Sequence, residues 1–236
     1  MVEDGRQEAQ RRGFAARVYE SEAVVSILQA ADDMLARYRM GAIHGDALLA
    51  LLSIGAEKML KMTYALIIED ATGSWPSAST MRGFGHDVAT LDRECRRLFR
   101  DRIHLATSDR YVAGLLDDLD ADPFITRLLE ILTRYGQAGR FAHLDALSGQ
   151  AQPGEPPRTM WERYDTDLGL LAPAFPLSRA ISNEDFDRLV RRPLNERHRE
   201  IVGRWREVYF RALIHGLAGD AAKAYGWDLR PPTGSG

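Results

Sequence analysis

A single cysteine, Cys95, occurs in 236 residues. An internal disulfide is therefore excluded, and the thiol usage suits a reducing cytosol. Net charge is −3, from 31 Lys and Arg against 34 Asp and Glu. With no global basic field, tight non-specific binding to nucleic acid is not implied, although a local basic face is still allowed. Long apolar runs are scarce as well. The best candidate, Ala47 to Ala56, is interrupted by Glu57, Lys58 and Lys61, short of the roughly 20 apolar residues that a membrane span needs. The first residues, MVEDGRQEAQRRG, are charged and hold no apolar core, so no secretory signal is visible. A soluble, cytoplasmic protein is expected. Alternating runs of β-branched residues between tight turns are missing, which argues against strands.

What is present is helical periodicity. Residues 1–15 read as a flexible polar tail. From Ala16 to about Arg39, apolar residues recur every three or four positions, including Val18, Val24, Leu28, Ala31 and Leu35. Met40-Gly41 is a stop signal. A second helix starts near Asp46, and Leu48, Leu52, Gly55, Met59, Met62 and Leu66 form its seam. It reads as the central helix. Gly55 within that seam predicts a close helix crossing. Glu57 and Lys61 form an i,i+4 pair on its wetter side. Gly73 and Pro76 break the chain. His86 to Arg102 is a third helix, with Val88, Leu91, Cys95 and Leu98 on its buried stripe. Helical pieces follow at about 109–119 and 123–147, the second opened by Asp122-Pro123.

The Pro/Gly loop at 149–158 is the best internal boundary. Short helices are expected at Trp161–Leu171 and Asn183–Arg191, then a long one from Pro193 to about Tyr225. Residues beyond 159 offer little core of their own. One domain over 16–225 is therefore expected: an all-α bundle with its core at 16–147, an insertion at 148–191 and a final helix at 193–225. Residues 226–236 read as a disordered tail.

Most chemical signatures are missing. HExxH pairs and Cys/His clusters are absent, so no metal is expected. P-loop, GxGxxG and GxSxG patterns are also lacking, and no cofactor is implied. Arg93, Arg97 and Arg100 share a helix face with Asp92, Glu94 and Asp101 interleaved, which reads as an ion-paired surface more readily than as a phosphate stripe. Arg197, Arg204 and Arg211 repeat every seven residues on the last helix.

The segment with most chemical promise is Arg192-Pro-Leu-Asn-Glu-Arg-His198. A guanidinium before a helix can clamp phosphate beside the N–H groups of the helix start. An imidazole titrates near neutrality and can move a proton. The plainer reading is a surface Arg before a capped helix and a half-buried His beside Trp205. That reading carries more weight, because one Arg and one His at such spacing are common.

Three segments together resemble the HEPN superfamily of helical domains. They are GAEKMLKMTYAL at 55–66, Gly85-His86-Asp87-Val88 followed by Leu91, and Gly139-Arg140-Phe141 followed by His143-Leu144-Asp145. The resemblance implies a helical bundle completed by the final helix. Many members are metal-independent ribonucleases of toxin–antitoxin or phage-defence systems, with an Arg-x4–6-His site shared across a homodimer. Carried over, this implies Arg192 and His198 as catalytic residues, with Arg191, Asn195 and Arg197 on the substrate. Arg191 also fits the spacing. Pro193 stands where the family often has a polar residue. Other members are non-catalytic modules that dimerise or bind a nucleotide or a protein. The expected partners are thus a second copy, RNA or a nucleotide, and an antitoxin or other protein. Trp205 and Tyr209 among the arginines of the last helix suggest the dimer face.

Overall fold

The computed structural model describes residues 2–39, 44–170 and 182–231, and every regular element among them is a helix. In chain order these are α1 (Val2–Ala36), α2 (Gly45–Thr72), α3 (Ala78–Gly83), α4 (Val88–Asp101), α5 (Asp109–Ala121), α6 (Pro123–Gln137), α7 (Ala142–Leu147), α8 (Pro157–Leu170), α9 (Asn183–Phe186), α10 (Arg192–Ile214) and α11 (Ala222–Asp228). No helix among them is long and apolar enough to cross a membrane.

α2 is central. It packs on α1, α4 and α6, and its seam residues Leu48, Leu52, Met59, Met62 and Leu66 are buried. The crossing with α1 is close at Gly55. A Cβ there would stand 2.8 Å from Leu28 Cδ2 and 3.2 Å from Ile27 Cγ2. The missing side chain therefore sets the spacing of the two longest helices. α10 forms the other axis, packing on α1, α5, α6, α8 and α11. One hydrophobic core joins α1 to α11, with Trp161, Tyr164 and Leu168 of α8 in it. The segment expected as an insertion thus supplies core.

Several boundaries differ from expectation. α1 begins at Val2, so residues 2–15 are helical rather than a loose tail. The final helix stops at Ile214 because the chain turns there, with Gly216 at φ +94°. The carbonyls freed at that end are taken up: Thr107 N–H donates to His215 O (3.0 Å) and Arg102 Nε to Leu217 O (2.7 Å). α11 follows, so residues 226–228 are helical. The Met40-Gly41 stop and residues 232–236 of the expected tail lie outside the described residues. Asp122 caps α6 as its Asp-Pro signal predicts, accepting from the N–H groups of Phe124 and Ile125.

Trp205 and Tyr209 face inward. Both donate to Asp92 of α4, Trp205 Nε1 at 2.8 Å and Tyr209 OH at 2.7 Å, and Arg96 pairs with the same carboxylate at 2.5 Å. These aromatics therefore tie α10 to α4 instead of offering a face to a second copy.

Candidate functional site

A π-helical turn over Asp187–Arg191 leads into α10, and the Arg192 N–H reaches back five residues to the Asp187 carbonyl. Pro193 follows; lacking an N–H, it suits the first turn of α10. Around this turn the two neighbouring arginines part company. Arg191 points inward and is 4% exposed. Arg192 points outward, its Nε 3.2 Å from Asp187 Oδ2.

His198, six residues beyond Arg192, is 2% exposed. Its Nε2 lies 2.8 Å from Asp165 Oδ1, and its ring stacks on Trp161 with centroids 4.8 Å apart. Arg191 Nη1 is 3.3 Å from both oxygens of the same fully buried Asp165. The structure therefore brings Arg191 and His198 together around a carboxylate from α8, and it does not bring Arg192 to His198. Asn195 is also buried, its Nδ2 donating to Tyr38 O at 2.8 Å, which holds α10 to the end of α1. Arg197 is exposed beside Glu200 at 3.8 Å. Asp165 lies 33 residues from His198, and a single sequence gives no signal for that pairing.

A second constellation sits on the surface. α2 presents Ser53, Ile54, Glu57 and Lys58 along one face. The turn before α4 adds His86, α6 adds Tyr135 and Gly136, and the 3-10 turn Gly139–Phe141 adds Arg140. Together they line a crevice of about 320 Å³. Gly136 lets α6 run against the His86 turn, since a Cβ there would meet His86 Cβ and Ser53 Oγ at 3.1 Å.

Glu57 organises the polar side. Its Oε2 is 2.8 Å from His86 Nδ1 and its Oε1 is 2.7 Å from Lys61 Nζ, which also donates to Gly85 O. Burial opposes ionisation of Glu57, but hydrogen bonds from His86 and Lys61 outweigh it and hold the carboxyl below its usual range. An ionised Glu57 can only accept, so Nδ1 of His86 carries the proton and Nε2 is the free nitrogen. The His86 side chain is 49% exposed. Burial pushes the Tyr135 phenol up, with Asp46 adding to the rise and Arg140 opposing it. Lys58 pairs with Glu20 at 2.5 Å. Arg140 lies over the Phe141 ring at 5.1 Å and has no carboxylate partner among the described residues.

The three segments behind the sequence resemblance thus meet in this crevice, through Glu57, His86 and Arg140. The arrangement can hold an anion between cations and can accept a proton at His86 Nε2. The i,i+4 spacing exposes the Glu57–Lys61 pair to a reader of the sequence; its contact with His86 needs the fold.

Elsewhere most arginines of the two basic faces are paired with carboxylates, while Arg93 donates to Thr90 Oγ1 at 2.9 Å. Arg97 pairs with Glu94 and Asp101, Arg100 with Asp117 and Asp120, Arg204 with Asp122 and Arg211 with Glu207. Among the described residues no three His, Cys, Asp or Glu side chains gather as a metal site requires. No family model, curated protein or solved structure matches the chain.

Proposed function

We propose that this chain is a non-catalytic, HEPN-like helical module that binds a nucleotide or similar phosphate-bearing ligand in the crevice between α2, α6 and the His86 turn. The observation that carries this reading is the meeting of Glu57, His86 and Arg140 in one crevice, with Arg140 lacking a carboxylate partner among the described residues. Its volume falls at the small end of ligand pockets, near 300 Å³. A phosphate would take the Arg140 guanidinium as a forked donor and His86, when protonated at Nε2, as a second. The Ile54 and Tyr135 side chains would lie against the remainder of the ligand.

Calorimetric titration with AMP and with inorganic phosphate tests this directly. The expected result is saturable AMP binding that weakens at least ~10-fold, or about 1.4 kcal/mol, in Arg140→Ala. Absence of binding at millimolar AMP, or equal affinity in the variant, would remove the reading.

A second reading, a metal-independent ribonuclease of toxin–antitoxin or phage-defence type, has one observation in its favour. Arg191 and His198 share Asp165, and an Arg and a carboxylate-held His are the groups that such chemistry uses. His198 would have to become accessible to RNA, through opening or through a partner. Under this reading, purified protein cuts RNA but not DNA in EDTA, and His198→Ala abolishes cutting.

A further inference from the structure

Arginines that the fold largely covers come with a carboxylate. Arg191 has Asp165, Arg96 has Asp92 and Arg102 has Asp70. Arg206 of α10 departs from this pattern. It is 4% exposed, and among the described residues no carboxylate pairs with it. Its Nε has no hydrogen-bond partner there, and its Nη2 has only the Leu229 carbonyl, at 3.3 Å. Burial pulls its pKa down, and the nearby charge of Asp32 offsets only part of that. Arginine is almost never buried unless paired, because a lone charge taken out of water is costly. A buried donor left over in this way calls for a partner.

The surroundings do not supply one. Arg206 and Asp32 line the same cleft, but both Asp32 oxygens are held by Arg199, at 2.9 and 2.8 Å. Two guanidiniums against one carboxylate leave one positive charge over. Other acids of the cleft lie on α10 and are more exposed. Glu207 pairs with Arg211 at 2.6 Å, and Glu200 comes only within 3.8 Å of Arg197. Glu196 has no ionic partner among the described residues.

The cleft lies between α1, α10 and the segment after α11, and holds about 540 Å³, within the range of small-molecule sites. Val202 and Pro231 form its apolar side. Gly203, one turn before Arg206, is part of its lining. A Cβ there would meet no atom within 4 Å, so packing does not call for a glycine. Glycine is also a poor helix former. Its bare backbone leaves the approach to Arg206 open. Glu200, Gly203 and Arg206 follow one another in three-residue steps, so the open position lies between an acid and the buried guanidinium.

We propose that this cleft binds a small zwitterion with the chemistry of a free amino acid, its carboxylate on Arg206 and its ammonium toward Glu196 and Glu200. A guanidinium offers a carboxylate two parallel donors. One surplus positive charge matches a monoanion. The glutamates at the rim repel a phosphate and attract a cationic end. The cleft shares no residue with the Glu57–His86–Arg140 crevice, so the proposal is independent of AMP binding.

Thermal unfolding and calorimetry with the proteinogenic amino acids, taken one at a time at millimolar concentration, test it. At least one should raise the wild-type melting temperature and bind one per chain. Inorganic phosphate should not. Arg206→Met should weaken that binding at least ~10-fold, and the pair Glu196→Gln and Glu200→Gln should weaken it by a similar factor. Gly203→Leu should abolish binding while melting no lower than wild type. Ligand-free Arg206→Met should also melt no lower, since a buried unpaired charge is removed. Absence of binding by every amino acid would overturn the proposal. Equal affinity for phosphate would reduce the cleft to an unspecific anion site and overturn it too. A fall in the melting temperature of ligand-free Arg206→Met would show a guanidinium already satisfied within the chain, with the same consequence.

Discussion

Two histidines in this molecule hold a carboxylate at the same 2.8 Å distance, and their surroundings separate them. His198 meets Asp165 in the core, with Trp161 stacked on the ring and Arg191 on the far side of the carboxylate. His86 meets Glu57 at the surface, with half its side chain in solvent and Arg140 lining the same crevice. The first cluster is closed on every described side, so its charges serve one another. Among the described residues the second leaves a ring nitrogen without a hydrogen-bond partner and a guanidinium without a carboxylate, and those are the groups that can meet a ligand. A histidine–carboxylate pair thus acts as structure in one place and, in the function proposed above, as a binding edge in the other.

Removing the carboxylate breaks this comparison most sharply. Asp165→Ala leaves the buried Arg191 without a counter-charge and the buried His198 Nε2 without its hydrogen-bond partner, and should cost about 3–5 kcal/mol. Glu57→Gln loses a partly exposed ion pair and should cost at most about 1 kcal/mol. Urea melts of both variants check the ratio; equal losses would mean the core cluster is not the closed network described. Gly55→Leu comes next. It forces a side chain into the α1–α2 crossing and should destabilise by about 1–3 kcal/mol. An unchanged melting temperature would place the crossing elsewhere.

The pH dependence is the smallest effect. Glu57 has a folded pKa below its unfolded value, so its contribution is complete above the ordinary glutamate pKa of about 4.3 and fades as pH falls through the folded value. Wild type should therefore exceed Glu57→Gln in stability at pH 7, and the gap should close in the acid range. A gap that widens on acidification would contradict the assignment.

Helical periodicity made much of this architecture readable. The α2 seam, the Asp122-Pro123 start and the Gly55 crossing all follow from local rules that need no partner. The candidate sites were less legible because they depend on pairings between distant helices. A π turn before Pro193 decides that Arg191 enters the core while Arg192 faces solvent, and adjacent arginines look alike in a sequence. Asp165 lies in a segment whose own apolar content is slight, and its role comes from Trp161 and Tyr164 joining the common core. Trp205 and Tyr209 fit an interface or a core equally by composition. Buried Asp92, which accepts from both, makes them core. Val18 fits the periodicity of α1 yet stays half-exposed, because the helix has more apolar faces than the bundle covers.

The most direct test of the comparison watches both histidines at once. Ring carbon–proton NMR signals of His86 and His198, assigned by His86→Gln and His198→Gln, can be followed while AMP is added. The account predicts that the His86 signal moves saturably and that the His198 signal stays fixed. A moving His198 signal beside a silent His86 would contradict it and return the binding chemistry to the Arg191–Asp165–His198 cluster.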